Sequence, residues 1–260
     1  MSEGILLESE SFLCRMEAPL AILTTKRVSF DDLASLETKR ELFGCLEALE
    51  GDPRVRALLF ISGPGVLSGG FTRSWLDSTR AGSDDDAVPT DDERADRDLL
   101  VARRLNMLSQ YILKATRFSK LLITAMQGEV SCPFAGLSLA ADFRLVSQDM
   151  WFNLASVKEE LIPGGGLAYF LPQYVGKGRA TELLLTAGRI TAGDALALGL
   201  VSEIIIGDDF EASCIARATA LSERPAHVIA GIRSLLAYDA PSLEAYLAEE
   251  AKAQIRAMNE

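Results

Sequence analysis

Three short stretches of this chain gather the residue types that chemistry needs. Glu129-Val130-Ser131-Cys132 puts a carboxylate, a hydroxyl and a thiol side by side, and Pro133-Phe134 follows. Ser156 leads into Val157-Lys158-Glu159-Glu160 and then the run Pro163-Gly164-Gly165-Gly166. Ser68-Gly69-Gly70-Phe71 is a small-residue turn, the kind that lets a backbone come close to a ligand, with Arg73 and Trp75 just beyond. Carboxylates such as Glu129, Glu159 and Glu160 suit proton transfer, although Glu159 and Glu160 also read as solvated loop charges. Cys132 has no base near it in sequence to lower its pKa and reads more readily as a small packing residue. The glycine run lacks the Lys-Ser/Thr ending of a phosphate-binding loop.

Other chemistries are excluded by what is scarce. There is one histidine, His227, so a histidine-based triad or a multi-histidine metal site is not available. His227 sits in Arg224-Pro225-Ala226-His227, where a capping or surface role is expected. Cys14, Cys45, Cys132 and Cys214 are scattered with no CxxC pair, which predicts reduced, mostly buried thiols and no bound metal. A net charge of −11, from 37 acidic and 26 basic residues, argues against nucleic acid and anionic lipid as partners. No apolar run is long enough to span a membrane. The segment from Met1 to Glu10 has no basic region followed by an apolar stretch, so a cytoplasmic protein is expected.

The elements that must hold these residues are legible in outline. At 260 residues and 48% apolar composition, one α/β domain with a large core is expected. Ala21–Thr25 and Val55–Ile61 read as strands, with a helix from Asp31 to Leu49 between them, capped by Asp31 or Asp32. Ser78 to Asp98 is the most acidic stretch and predicts a solvated loop or a lid over a site. An amphipathic helix (Leu99–Thr116) precedes a buried strand (Lys120–Met126), a helix (Ala135–Ala141) and a strand (Phe143–Val146). Strands separated by helices imply crossover connections and an α/β fold. Beyond Pro163 the chain reads as helical: Gly166–Val175, Arg179–Ala187, Ala192–Gly199, Phe210–Ser222, Pro225–Ala237 and Ser242–Met258.

From Lys120 onward the text is more specific. Ile123-Thr124-Ala125-Met126-Gln127-Gly128 resembles the strand and turn that open the active-site region of crotonases, the enoyl-CoA hydratase/isomerase superfamily. Ala140-Ala141-Asp142-Phe143-Arg144 is similar to that family's "ACDIR". Ser156 to Gly166 is similar to its "EVKLGLIPGGGG", in which the glycine run is a structural turn before a helix. Leu171-Pro172, Val175 to Ala180, Glu182 to Thr186 and Ile190 to Val201 continue in register, and Ala57 to Gly70 resembles the strand ending in "FSAGAD". The resemblance implies a crotonase-like ββα superhelix with two sheets over 1–203. It implies a helical C-terminal region over 204–260 that builds a trimer or a hexamer. It also implies an acyl-thioester substrate, with coenzyme A or phosphopantetheine as the carrier and no further cofactor.

The resemblance assigns roles position by position. The family stabilises an enolate with two backbone N–H donors. The first falls on Phe71, after Gly69 and Gly70, with Arg73 near the carrier. The second falls in a glycine triplet that is here Cys132-Pro133-Phe134, and Pro133 has no N–H to give. Phe134 N–H, Cys132 N–H or the Ser131 hydroxyl are the available substitutes. The two acid/base carboxylates of a hydratase align with Gly136 and Ser156, so this residue set does not fit standard syn-hydration. Glu129, at the mouth of the same turn, is a candidate replacement. Decarboxylation or double-bond isomerisation of an acyl thioester, as in polyketide-type secondary metabolism, needs less proton machinery. A β-diketone C–C hydrolase and a catalytically degenerate scaffold are the alternatives. As a repair, Pro133→Gly, Gly136→Glu and Ser156→Glu together are the least that would recover hydration.

Overall fold

The computed structural model describes residues 4–26, 32–33, 35–63, 65–68, 91–186, 188–236 and 240–258. Gly69, Gly70, Phe71, Arg73 and Trp75 lie outside the described residues, as do Asp84, Asp85 and Asp86 of the acidic stretch.

The central strand is β5 (Leu121–Met126), buried along its whole length. Its unbroken apolar text is what a strand covered on both faces requires. Around it a seven-stranded sheet runs β1 (Gly4–Glu8), β2 (Phe12–Glu17), β3 (Leu20–Thr25), β4 (Ala57–Ser62), β5, β7 (Phe143–Ser147) and β10 (Glu203–Ile205). The first three strands form an antiparallel meander, and β3 through β10 are parallel. The four expected strands appear as β3, β4, β5 and β7, whereas β10 lies in a part of the chain that reads as helical. The meander adds β1 and β2, whose texts mix apolar and charged residues.

One face of this sheet is covered by α1 (Leu36–Gly51) and α2 (Asp91–Arg117), through Leu42, Leu49, Tyr111 and Phe118. The other is covered by α6 (Phe210–Ser222) and α7 (Ala226–Leu236), through Cys214, Ala218 and Ile229. The α1 cap differs from expectation. Ser35, not Asp31 or Asp32, is the N-cap and accepts the Glu37 N–H at 3.2 Å. The acidic stretch is helical from Asp91 on, as the first turns of α2.

A second sheet of three strands, β6 (Glu129–Ser131), β8 (Trp151–Asn153) and β9 (Arg189–Thr191), carries Glu129 and Ser131. With it pack α3 (Cys132–Leu139), α4 (Leu167–Thr186), α5 (Ala192–Ala197) and α8 (Ala240–Ala257). The two helices expected at Gly166–Val175 and Arg179–Ala187 are joined in α4 through a kink at Gly176, whose φ of 76° glycine accepts readily. Arg144, of the "ACDIR"-like text, is buried and donates to Leu200 O at 2.7 Å and Ala141 O at 2.6 Å, tying β7 to the segment before β10.

The apolar stripe of the C-terminal helices, including Leu235, Leu236, Leu243 and Leu247, is expected between subunits in a trimer, and the structure corrects this for its last two members. Leu243 and Leu247 of α8 are not spare apolar surface for a neighbouring subunit. They are 1% and 2% exposed, inside the core cluster that also holds α3 and α4.

Candidate functional site

Strand β6 pairs with β8 in parallel, Glu129 beside Trp151 and Ser131 beside Asn153. Side chains alternate across a strand, so Glu129 and Ser131 share one face while Val130 enters the core. Asn153 Nδ2 donates to Glu129 Oε1 at 2.7 Å and fixes that carboxylate over the sheet. The Ser131 N–H donates to Leu67 O at 2.7 Å, tying β6 to the turn that leads toward Gly69.

Ser131 is also the N-cap of α3, and the helix begins at Cys132, three residues earlier than its apolar pattern predicted. Pro133 is at home in the first turn, where no N–H is required for the helix ladder. The Ser131 side chain makes no capping bond. Its hydroxyl is buried and has no hydrogen-bond partner among the described residues.

Behind α3 the chain passes through the turn 155–166. Gly136 faces it without a gap: a Cβ there would lie 2.2 Å from Gly165 O and 2.8 Å from Leu167 N. Gly165 in turn abuts Pro133, with φ at 74° and its own Cβ position 2.2 Å from Pro133 O. Ser156 lies in the short 3-10 turn Ala155–Glu159, which ends on Glu160 at φ 58°, where the family text carries glycine. Cys132 is buried between these pieces. Burial pushes its thiol up to about 11, and the neighbouring Ser156 hydroxyl and Gly164 N–H offset this only in part. A thiol so placed is protonated at neutral pH and is no thiolate nucleophile. His227 is exposed on α7, in line with its surface reading.

Sequence reasoning missed one carboxylate here. Glu250 of α8 is buried against the glycine run; both its oxygens accept the Gly166 N–H at 3.2 Å, and the Tyr246 hydroxyl donates at 3.1 Å. Burial pushes this carboxyl up to about 7, against the N–H groups and the phenol that favour its charged form. Gln254 Nε2, one turn on, donates to Ile162 O at 3.1 Å. Leu243, Leu247, Glu250 and Gln254 recur at helical spacing on one face. A glutamate continuing an apolar stripe was the available signal.

On the far side of α3, Phe134, Leu137 and Ser138 border a cavity of about 130 Å³, flanked by the main sheet, α1 and α2, with Leu67 and Met126 in its wall. Its lining is mainly aliphatic and aromatic.

The sequence profile of the family "Enoyl-CoA hydratase/isomerase" matches residues 18–260. The chain belongs to this family. A Mycobacterium tuberculosis protein named "Probable enoyl-CoA hydratase EchA12" is 30% identical over 166 residues, 63% of this chain and 58% of that protein. The match thus spans less than two thirds of that relative's length. A crotonyl-CoA hydratase of Syntrophomonas wolfei is 27% identical over 199 residues, 75% of this chain and 69% of that one. The crystal structure of an enoyl-CoA hydratase from Bacillus halodurans superposes with a TM-score of 0.77 at 19% identity, covering 96% of both chains. That likeness, with the parallel sheet and the smaller second sheet, fixes the crotonase-like fold. No helix among the described residues is long and apolar enough to cross a membrane.

Proposed function

We propose that this protein acts on a short-chain acyl thioester through its enolate, using one proton-transfer carboxylate, Glu129, in place of the paired carboxylates of a hydratase. The observation that carries this reading is the pair of positions Gly136 and Ser156. The first has neither a side chain nor room for one, and the second is a hydroxyl beside the neutral Cys132 thiol. Glu129 is half-buried and held by Asn153. Isomerisation of a double bond needs one base that returns its proton. Decarboxylation needs none to form the enolate, because departing CO₂ leaves the electron pair behind.

The cavity beside α3 supports an acyl group of modest size. At about 130 Å³ it is close to the ~150 Å³ apolar cavity that holds benzene, which corresponds to roughly four to six carbons. The carrier is coenzyme A or phosphopantetheine. Self-association belongs to the same reading, because Ile232, Leu235 and Leu236 of α7 stand 54%, 78% and 78% exposed and form a face for a second copy.

The test is deuterium exchange at the α-carbon of butyryl-CoA and butyryl-pantetheine in D₂O, run beside crotonyl-CoA hydration. Exchange that Glu129→Gln abolishes, with negligible hydration, is the expected result. Hydration faster than a few turnovers per second, the ordinary range of enzymes, overturns the reading. A protein that binds neither thioester is a scaffold instead.

A further inference from the structure

We infer that the Ser131 hydroxyl is the donor to the thioester oxygen that Pro133 cannot supply. This rests on the acyl-thioester reading above and names the group that would hold the reacting carbonyl.

A serine at an N-cap normally turns its oxygen onto the N–H of the second or third helical residue. Here the second is Pro133, which has none, and Ser131 makes no capping bond at all. The residue is 3% exposed, and its hydroxyl is without a partner among the described residues. A buried hydroxyl left unpaired is costly, and such a group in a native fold calls for an explanation, of which a role toward a bound ligand is one. Two other hydroxyls share this condition, Thr24 and Ser62, both near the carboxyl ends of parallel strands. Ser131 alone among the three stands at a helix N-terminus, where the peptide dipoles favour negative charge.

Its neighbours fit the same role. Ser131 is fixed in space by its own N–H on Leu67 O. Two residues back on the same face of β6 is Glu129, about 7 Å away by strand geometry, a separation suited to one group at the α-carbon and another at the carbonyl oxygen. As the Glu129 carboxylate takes the α-proton, the electron pair of that C–H bond forms a C=C bond to the carbonyl carbon. The carbonyl π pair moves onto oxygen. The Ser131 O–H donates a hydrogen bond to that oxygen and keeps its proton, as preorganised donors do where charge develops.

The experiment uses the full chain and three variants: Ser131→Ala, Pro133→Gly and the double change. α-Deuterium exchange in butyryl-pantetheine is read beside the ¹³C shift of its labelled carbonyl when bound, and the melting temperature. Ser131→Ala should slow exchange by about 10²-fold, move the carbonyl signal upfield and leave melting unchanged or higher, since an orphan hydroxyl is removed. The double change should recover part of the rate, because glycine restores a backbone N–H. Full exchange and an unmoved carbonyl signal in Ser131→Ala overturn this inference alone. A lowered melting temperature with no rescue by Pro133→Gly assigns Ser131 a structural role and also overturns it. Absence of thioester binding by the unaltered protein overturns the functional reading and this inference with it.

Discussion

Arg233 of α7 forms an ion pair with Asp142, the residue just before β7, and the two bind the C-terminal helices to the centre of the main sheet. The same Asp142 carboxylate accepts the Leu122 N–H at 2.7 Å, and Arg233 also donates to Phe118 O at 2.7 Å and Ala115 O at 3.1 Å. The pair is well buried, at 8% and 20% side-chain exposure, so removing one partner strands the other. Arg233→Met is expected to cost ~3–5 kcal/mol of stability, read from urea midpoints. A loss below about 1 kcal/mol, the range of exposed ion pairs, would show that solvent reaches the site.

A second expectation concerns repair of hydration. The sequence suggests restoring both carboxylates and the missing N–H. The backbone contact of Gly136 with Gly165 stands against it, because any side chain at 136 must displace main chain rather than a flexible tip. Gly136→Ala should lower stability by roughly 1–3 kcal/mol, as overpacking does. Pro133→Gly/Gly136→Glu/Ser156→Glu should melt well below the parent and hydrate crotonyl-CoA no faster. A stable triple variant with hydratase activity would falsify the contact.

Glu250 makes stability depend on pH in a stated direction. Its carboxyl is raised from 4.5 to about 7 in the folded chain. The unfolded chain therefore releases this proton first, and folding favours the protonated form. The contribution is fully present below about pH 4.5 and is lost as pH rises through about 7, on the order of 3 kcal/mol in all. Glu250→Gln keeps an acceptor for the Gly166 N–H and removes the titration. Thermal melts from pH 5 to 8 should show a flatter profile for the variant and a gain over the parent at pH 8. Parallel profiles would mean that Glu250 stays ionised throughout.

The α7 face should respond to charge. Leu235→Asp/Leu236→Asp alters two of the most exposed apolar residues among those described, so it should leave the fold intact. Sedimentation velocity should show the parent as a trimer or hexamer and the variant as a smaller species. A parent that sediments as a monomer at micromolar concentration removes self-association from the functional reading.

The fold was legible where one physical signal dominated. The continuous apolar text of β5 could only be a buried strand, and Phe210–Ser222 came out with its predicted bounds, fixed by Asp209 as cap. The three-residue strands β6, β8 and β9 left no comparable trace, because they are too short for periodicity to register. The α3 start was placed three residues late because the apolar pattern begins at Ala135, while Cys132 and Pro133 form a first turn that carries no periodic signal. In the site, single-residue identities such as Pro133 and Gly136 were legible. Contacts between distant segments, such as Glu250 on Gly166 or Gly136 on Gly165, are made by tertiary packing and have no local signature.

The placement of Glu250 and Gln254 on the last helix has a consequence for how the molecule is made. Synthesis runs from the N-terminus, and early elements fold as they emerge. The glycine turn against α3 leaves the ribosome some eighty residues before Glu250, its partner through the Gly166 N–H. Until α8 arrives, that N–H and the apolar groove for Leu243 and Leu247 face water. The nascent chain therefore carries a half-built site for most of its second half, and a stalled or clipped product ending before α8 is an exposed-core species that a chaperone or protease would recognise.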